Sequence, residues 1–409
     1  MLSNKKILFL SREFQHPNNA CGICLYNLAL EFIDRGYEIY VISLVHKKCA
    51  FRYDSKIHVT ELYEDKFTTL CNVANGSSKW LVKFFFRIVQ FFRLFLVSII
   101  TPNTAPLKSR EIYRAAKHII FEYEVGTVIG SYTPYETISA SILLKQWNPD
   151  IKVVNYHLDP LLVPGNSSRF ISQYKYRRAY NAVLKEISIV DKVLVPETFY
   201  EIYPVDDNIC SVGFPLYKMS RDANNVPYKF NPDVINMVYV GTLDFKNRNI
   251  SYTLELIERL NAVGLNVRLH IWGSLLDTET IELVRISENV EFHGLINSSS
   301  VPTLLESADF LLNVCNFTHS SSLPSKIFQL FASHKPILVI KRSNNDASLP
   351  YFSKYGNVYF AEEGDFSDEH IRGLLAFLIR GQNNCIIDET KENVFLKYTP
   401  QYICDQINI

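Results

Sequence analysis

The sequence predicts an α/β protein built from two doubly wound parallel-sheet domains facing each other across a cleft, and two observations carry that expectation. Short apolar runs of strand length alternate with helix-length amphipathic runs along the whole chain, and the alternation starts afresh after a polar stretch near the middle. A length of 409 residues also exceeds one typical core and suits two domains of roughly 150 to 200 residues.

The first domain opens with "KKILFLS" (5–11), an apolar strand. "CGICLYNLALEFIDRG" (21–36) then sets Leu25, Leu28, Ala29, Phe32 and Ile33 on one helical stripe, and "YEIYVISL" (37–44) is a second strand, so a βαβ unit begins the chain. "VGTVIGSY", "IKVVNYHLDP" and "VDKVLVPE" add strands, with helical patterns such as "ETISASILLKQW" between them. Near-continuous apolar runs suit strands covered on both faces by helices. "YKMSRDANNVPYKFNPD" (217–233) has the composition of a linker. Beyond it "VINMVYVGTL", "NVRLHIWGS", "NVEFHGL", "DFLLNV" and "KPILVI" read as strands, and "YTLELIERLNAVG" and "SKIFQLFA" as helices. The expected boundaries are 1–216 for the first domain, 217–233 for the linker, 234–390 for the second domain, and 391–409 for a C-terminal segment returning to the first. Sheets of this kind bind ligands beyond the carboxyl ends of their strands.

Composition narrows the function. Lys and Arg number 42, as do Asp and Glu, so no global field recruits nucleic acid and any partner is recognised by local features. The eight cysteines are scattered and the first residues lack the order of a secretory signal, which together point to a reducing, cytoplasmic compartment. Cys21 and Cys24 form a CxxC that is either redox-active, half of a zinc site, or two small residues on a helix's first turn; neither a second pair nor a His cluster completes four ligands. After the first strand stands a single glycine, Gly22, rather than GxGxxG, and no acidic residue ends the second strand, so a dinucleotide fingerprint is absent.

"KWLVKFFFRIVQFFRLFLVSII" (79–100) is the most unusual segment. Lys79, Lys83, Arg87, Gln90 and Arg93 recur every three or four residues and share one helical face, while Phe85, Phe92 and their apolar neighbours cover the rest. A membrane span needs about 20 apolar residues with few charges, and four cations argue against it. A helix lying among lipid headgroups fits, with Lys83, Arg87 and Arg93 toward anionic lipid and Phe85 and Phe92 toward the acyl chains. The alternative is a helix whose wide apolar face packs in the core.

With these pieces in place the chain resembles the GT-B glycosyltransferases, the two-Rossmann-domain class, and within them the retaining family 4 of the bacterial surface polysaccharide type. The resemblance spans nearly the whole chain and rests on "ILFLSREFQHPNNACGICLYNLALEFIDRGYEIYVIS" in the first domain and "VYVGTLDFKNR", "LHIWGS", "VEFHGLI" and "SLPSKIFQLFASHKPILVI" in the second. It implies a UDP- or GDP-linked nucleotide sugar held by the second domain, no metal or further cofactor, and an acceptor approaching along the first. A nucleoside diphosphate needs cations and backbone N–H groups at its phosphates and an acceptor for its ribose hydroxyls. The matching positions are Gly241 and Thr242 at a strand end, Lys246 as first choice and Arg248 as second for the diphosphate, and Gly294 and Leu295 for the base. Ser325 is expected to cap a helix and Lys326 to add charge at its start. Family glutamates fall at Ser321 and Gln329, so both carboxylates are missing and Gln329 is left to receive the ribose. In the first domain His157 and Asp159 end a strand where the family places a histidine near the reacting sugar, and Gly22 is carried over as an acceptor-side or sugar-side contact. Each position has a bland counterpart: solvated loop cations, a turn glycine, a structural loop histidine, a capped helix in a degenerate site.

The expected function is transfer of a sugar to a lipid-linked or membrane-proximal saccharide acceptor, by a protein peripheral on the inner face of the cell membrane. A nucleotide-sugar epimerase on a similar scaffold and a non-catalytic subunit that kept the fold are the alternatives.

Overall fold

A computed structural model describes residues 5–12, 14, 20–45, 54–63, 84, 101–132, 134–162, 170–217, 227–317, 323–383 and 389–407. The chain divides into two compact units, Met1–Pro215 with Lys397–Ile409, and Leu216–Leu396.

The first unit is built on β1 (Lys6–Arg12), β2 (Glu38–Val45), β3 (Ile57–Tyr63), β4 (Thr127–Tyr132), β5 (Lys152–His157), β6 (Lys192–Pro196) and β7 (Ile209–Val212). They form one parallel sheet in the order β3-β2-β1-β4-β5-β6-β7. The order runs outward in both directions from β1, so the switch point lies between β1 and β4. Ile7, Leu8, Phe9 and Leu10 of β1 are all fully buried, which explains the unbroken apolar run in the sequence: a central parallel strand has no solvent face. The helix Ala20–Asp34 buries Leu25, Leu28, Ala29, Phe32 and Ile33, the stripe legible from their spacing.

The last helix, Pro400–Ile407, packs on that same helix. Ile403, Cys404 and Ile407 are buried there, and Arg35 reaches Glu31 at 2.8 Å and Asp405 at 2.7 Å. Ion pairs with one partner in water contribute little, so apolar burial holds the helix in place.

Cys21 and Cys24 sit in the first turn of the helix Ala20–Asp34 as free thiols. Burial raises both thiols above their ordinary range, and the nearby Asp159 carboxylate raises them further. A redox pair works through a thiolate, and this environment disfavours one.

The second unit carries β8 (Ile235–Leu243), β9 (Val267–Leu275), β10 (Val290–Gly294), β11 (Phe310–Val314), β12 (Ile337–Lys341) and β13 (Val358–Glu362). Its parallel sheet has the order β10-β9-β8-β11-β12-β13, so the switch point falls between β8 and β11. Met237, Tyr239, Leu269, Ile271, Leu312 and Leu338 fill the core against Leu256 and Leu260 of the helix Ser251–Ala262.

The membrane contacts expected of Lys83, Phe85, Arg87, Phe92 and Arg93 lie outside the described residues. Phe84 alone of residues 79–100 is described, and it is exposed. Among the described residues no helix is long and apolar enough to cross a membrane.

Truncating Ile403 removes a fully buried side chain from the contact between the last helix and the helix Ala20–Asp34. Ile403→Ala is expected to lower the stability of the first unit by about 3 kcal/mol, as measured by urea unfolding followed at its own transition.

Candidate active site

The switch point of the second sheet brings several polar groups together at strand carboxyl ends. Gly241 of β8 and Gly273 of β9 are paired in register, with φ of 154° and 135°. A Cβ on Gly273 would overlap the carbonyl of Gly241, so the approach of these two backbones admits only glycine there. A Cβ on Gly241 would collide with the Nζ of Lys326, which lies directly over it.

Lys326 stands at the N-terminal end of the six-residue helix Ile327–Ala332. The residue is half-buried, and its ammonium is turned toward β8. Nζ donates toward the Tyr239 hydroxyl and the Val240 carbonyl, both at 3.4 Å, and lies 4.8 Å from the centre of the Tyr239 ring. The Tyr239 hydroxyl donates its proton to the Thr242 carbonyl at 2.9 Å, which leaves its lone pairs to the lysine. Burial pushes the Lys326 pKa well below its ordinary value, and the neighbouring Arg248 guanidinium lowers it further; among the described residues no acidic group opposes either effect. A cation held by neutral dipoles alone keeps its charge uncompensated and gains from an anion.

Arg248 is the second cation. Its Nε donates to the Asn316 side-chain oxygen at 2.7 Å, and its Nη1 is 3.5 Å from the Thr242 carbonyl. Asn247 donates to that same Asn316 oxygen at 3.3 Å, while the Asn316 backbone N–H donates to buried Asp346 at 3.0 Å. Arg342 donates to the Asn247 carbonyl at 2.7 Å, and so ties the end of β12 to the loop after β8. Arg248 is therefore held in a fixed orientation by the loops after three strands.

Gly241, Thr242, Arg248 and Lys326 are thus brought together. Lys246 stands on the exposed turn after β8, where its charge helps hold the Asp277 carboxyl below its usual range, behind the backbone N–H groups of Phe245 and Thr280. Ser325 does not cap the short helix: Lys326 occupies the N-cap position and no side chain accepts a cap hydrogen bond. Six residues make fewer than two turns, so the helix offers little macrodipole and the ammonium is the stronger source of positive potential. Gln329 is half-buried, one turn beyond Lys326. Gly294 ends β10 with φ of 74°, and Leu295 after it is exposed; β10 is the edge strand, so both lie two strands from Gly241. Sequence reasoning missed Gly273, Tyr239, Asn316 and Arg342. The glycine of "HIWGS" was the available signal for Gly273, and the other three follow from strand order rather than from any local pattern.

In the first unit, Gly22 is buried in the first turn of the helix Ala20–Asp34. Cys21 Sγ lies 3.6 Å from the exposed Asp159, so the loop after β5 meets that turn. His157 differs from its expected place at a reaction centre. Its ring is fully buried, with Nδ1 2.8 Å from the Tyr203 hydroxyl and Nε2 3.0 Å from Glu186. Both ring nitrogens are committed inside the protein, which makes His157 a positioning residue behind Tyr132, whose ring centre is 5.9 Å away. Tyr132 lines a cavity of about 410 Å³ with Tyr135, Glu136, Leu161, Lys175 and Tyr176. Burial pushes the Tyr132 hydroxyl up to about 12, and Asp159 adds to the effect. The cavity therefore presents neutral phenols, one cation and the buried Glu136 carboxylate, whose Oε1 accepts from Thr104 and from the Ala105 backbone N–H.

Residues 235–372 match the family described as "Glycosyl transferases group 1", and they span from β8 through β13, including Lys326 and Arg248. No curated protein matches the chain by sequence. Among solved structures the chain is similar to a glycosyltransferase from Rickettsia africae, at 13% identity over 98% of this chain and 97% of that one, with a TM-score of 0.56. TarM aligns at 11% identity over 100% and 99%, with a TM-score of 0.53. An alpha-glucosyltransferase solved with UDP-glucose and DNA containing an abasic site aligns at 10% identity over 99% of each chain, with a TM-score of 0.51. At such identities the likeness establishes the fold, two Rossmann-like domains of the GT-B type. The fold and the family match together define an enzyme of the glycosyltransferase class. More particularly, residues 235–372 are the stretch that is similar to the group 1 glycosyl transferases.

Lys326→Met keeps the length of the stem and removes the buried charge. It is expected to raise the melting temperature of the ligand-free protein and to weaken nucleoside diphosphate binding at least tenfold, both read by a thermal-shift titration. Gly273→Ala is expected to lose the same binding together with stability, because the methyl forces β8 and β9 apart at the site.

Proposed function

We propose that the protein transfers a sugar from a nucleotide diphosphate donor, UDP- or GDP-linked, to a lipid-linked or membrane-proximal saccharide acceptor in polysaccharide biosynthesis. The observation that carries the donor side is the buried Lys326 ammonium, which has neutral partners only and Arg248 beside it. Two cations near the carboxyl ends of parallel strands, next to paired glycines, have the charge a diphosphate needs. In the transfer the bond from the anomeric carbon to the phosphate oxygen breaks and a bond to the acceptor oxygen forms. The acceptor's proton leaves with the departing phosphate, so no strong protein base is required, which accords with His157 being closed to solvent. Lys326 and Arg248 would offset the charge that builds on the leaving diphosphate. Retention of anomeric configuration follows from the resemblance to family 4. The acceptor and a location at the inner face of the membrane rest on the basic, phenylalanine-rich sequence 79–100, and the first-unit cavity is the proposed seat of the acceptor's sugar end.

A panel of nucleoside diphosphates and their sugars tests the donor assignment by thermal shift, since a ligand at 100 times its Kd adds about 2.7 kcal/mol to the state that binds it. Stabilisation by one base, lost in Lys326→Met, is the expected result. No response to any base would instead favour a non-catalytic subunit, in which Gln329 marks a lost ribose contact.

The lysine also fixes the sign of the pH dependence. Its pKa is depressed in the free protein, and a bound diphosphate would raise it by favouring the charged form. Binding then takes up a proton at pH values between the two pKa values, and affinity falls as pH rises through that window. Calorimetry in buffers of different ionisation enthalpy should show proton uptake for the parent protein and none for Lys326→Met.

A further inference from the structure

A second cluster lies on the opposite flank of the same sheet, away from the switch point. His270 of β9 and Glu291 and His293 of β10 converge: His270 Nδ1 is 3.2 Å from His293 Nε2 and 3.5 Å from Glu291 Oε2, and His293 Nε2 is 3.9 Å from that oxygen. These three separations resemble the edges of a coordination polyhedron. A tetrahedral zinc ion with bonds of about 2.0 to 2.1 Å sets its ligand atoms roughly 3.4 Å apart.

The hydrogen bonding around His270 decides which of its nitrogens is available. The Asn236 side-chain nitrogen shares its two N–H groups among three acceptors, the Asn231 and Val234 carbonyls at 2.9 and 3.0 Å and Asp309 at 3.0 Å, so the amide is oriented with its nitrogen toward them. Its oxygen then faces His270 Nε2 at 3.3 Å, and Nε2 carries the proton. Nδ1 is left with a lone pair, in hydrogen-bonding geometry with His293 Nε2 and 3.5 Å from Glu291 Oε2. Of the three converging atoms only His293 Nε2 has a proton to offer, so the His270 lone pair and the Glu291 oxygen face each other without a hydrogen between them. A cation at the centre satisfies all three, and the Asn236 contact is the outer-shell hydrogen bond that orients a metal-binding imidazole.

The surroundings hold the ligands in place. The His293 ring stacks on Trp272 with centres 4.0 Å apart and planes 11° from parallel, and Phe230 packs on His270 at 4.7 Å. Glu291 Oε1 is fixed by Arg268 at 2.8 Å, which leaves Oε2 for the cluster. His270 is buried while Glu291 is 42% exposed on its side chain, so water can reach one side and supply a fourth ligand.

We propose that His270, Glu291 and His293 bind one divalent transition ion of the zinc class, which staples the edge strand β10 to β9. Two imidazole nitrogens and one carboxylate oxygen select for such an ion over magnesium or calcium, which take oxygen ligands.

The test uses the full-length protein stripped with a chelator and then titrated with Zn²⁺ against a chromophoric competitor. One equivalent should bind at submicromolar Kd and raise the melting temperature. Co²⁺ in its place should give the intense visible bands of a four-coordinate site. His293→Ala is expected to weaken Zn²⁺ binding by about 100-fold. Because that change also removes the stack on Trp272, Glu291→Gln provides a variant that keeps every ring in place, and it should cost at least about tenfold. The proposal is overturned if the stripped protein binds no Zn²⁺ at micromolar concentration, or if both variants, folded by circular dichroism, bind it as the parent does.

Discussion

The close approach of β8 and β9 at Gly241 and Gly273 is the constraint on which the second unit's site depends. A side chain on Gly273 would occupy the position of the Gly241 carbonyl, and a side chain on Gly241 would occupy the position of the Lys326 ammonium. Both glycines adopt positive φ, so the paired backbone departs from the regular pleat two residues before each strand ends. Bare backbone at the carboxyl ends of central strands, beside a topological switch, is where a parallel sheet admits a ligand most closely. Lys326, Tyr239 and Thr242 are arranged around that opening, and each of their contacts presupposes it.

Within this frame Lys326 is the costly residue. An ammonium out of water, with no carboxylate and a guanidinium nearby, lowers the stability of the ligand-free protein relative to an apolar replacement of the same length. Such a group persists in a folded chain when something outside the chain completes it. The hydrogen bonds from Arg248 to Asn316, from Asn316 to Asp346 and from Arg342 to Asn247 keep the second cation from collapsing onto an internal acid. The positive charge of Arg248 is therefore held in place by neutral side chains and backbone carbonyls.

Much of the fold was legible because its signals are local. The stripe of Leu25, Leu28, Ala29, Phe32 and Ile33 and the unbroken apolar strands are periodicities of a single segment, and each segment buries the residues its period indicates. The site was legible only where a residue lies beside a strand end. Gly241, Arg248 and Lys326 could be named from "VGTLDFKNR" and "SLPSKIFQ", but their meeting is a property of strand order, which places β8 beside both β9 and β11. Asn316 follows β11, which adjoins β8, and Arg342 follows β12, one strand further on; neither strand's sequence hints at that order. The cap expected of Ser325 gave way because the helix starts one residue later, with Lys326 as its N-cap. The carboxylate and two histidines of the edge-strand cluster were invisible for a related reason: His270 and Glu291 are 21 positions apart and meet only because β9 and β10 pair.

The two sheets also show how one topology can finish its strand ends in opposite ways. In the first unit Asn155 and His157 of β5 both bond to the Glu186 Oε1 atom, and His157 bonds to Tyr203, whose hydroxyl accepts from the Leu161 backbone N–H. That network joins groups that are wholly or largely buried, and it leaves one buried atom, the second Glu186 oxygen, without a hydrogen bond. It fixes the shape of the unit beneath the tyrosines of the first-unit cavity and offers a substrate nothing directly. In the second unit the corresponding strand ends carry charge that the protein leaves uncompensated. A closed polar network stabilises a surface, and an open one binds, because only the open one gains when a ligand supplies the missing partner. The contrast lies in the charge: Lys326 is held by neutral groups with a guanidinium nearby, whereas His157 has both ring nitrogens bonded inside the first unit.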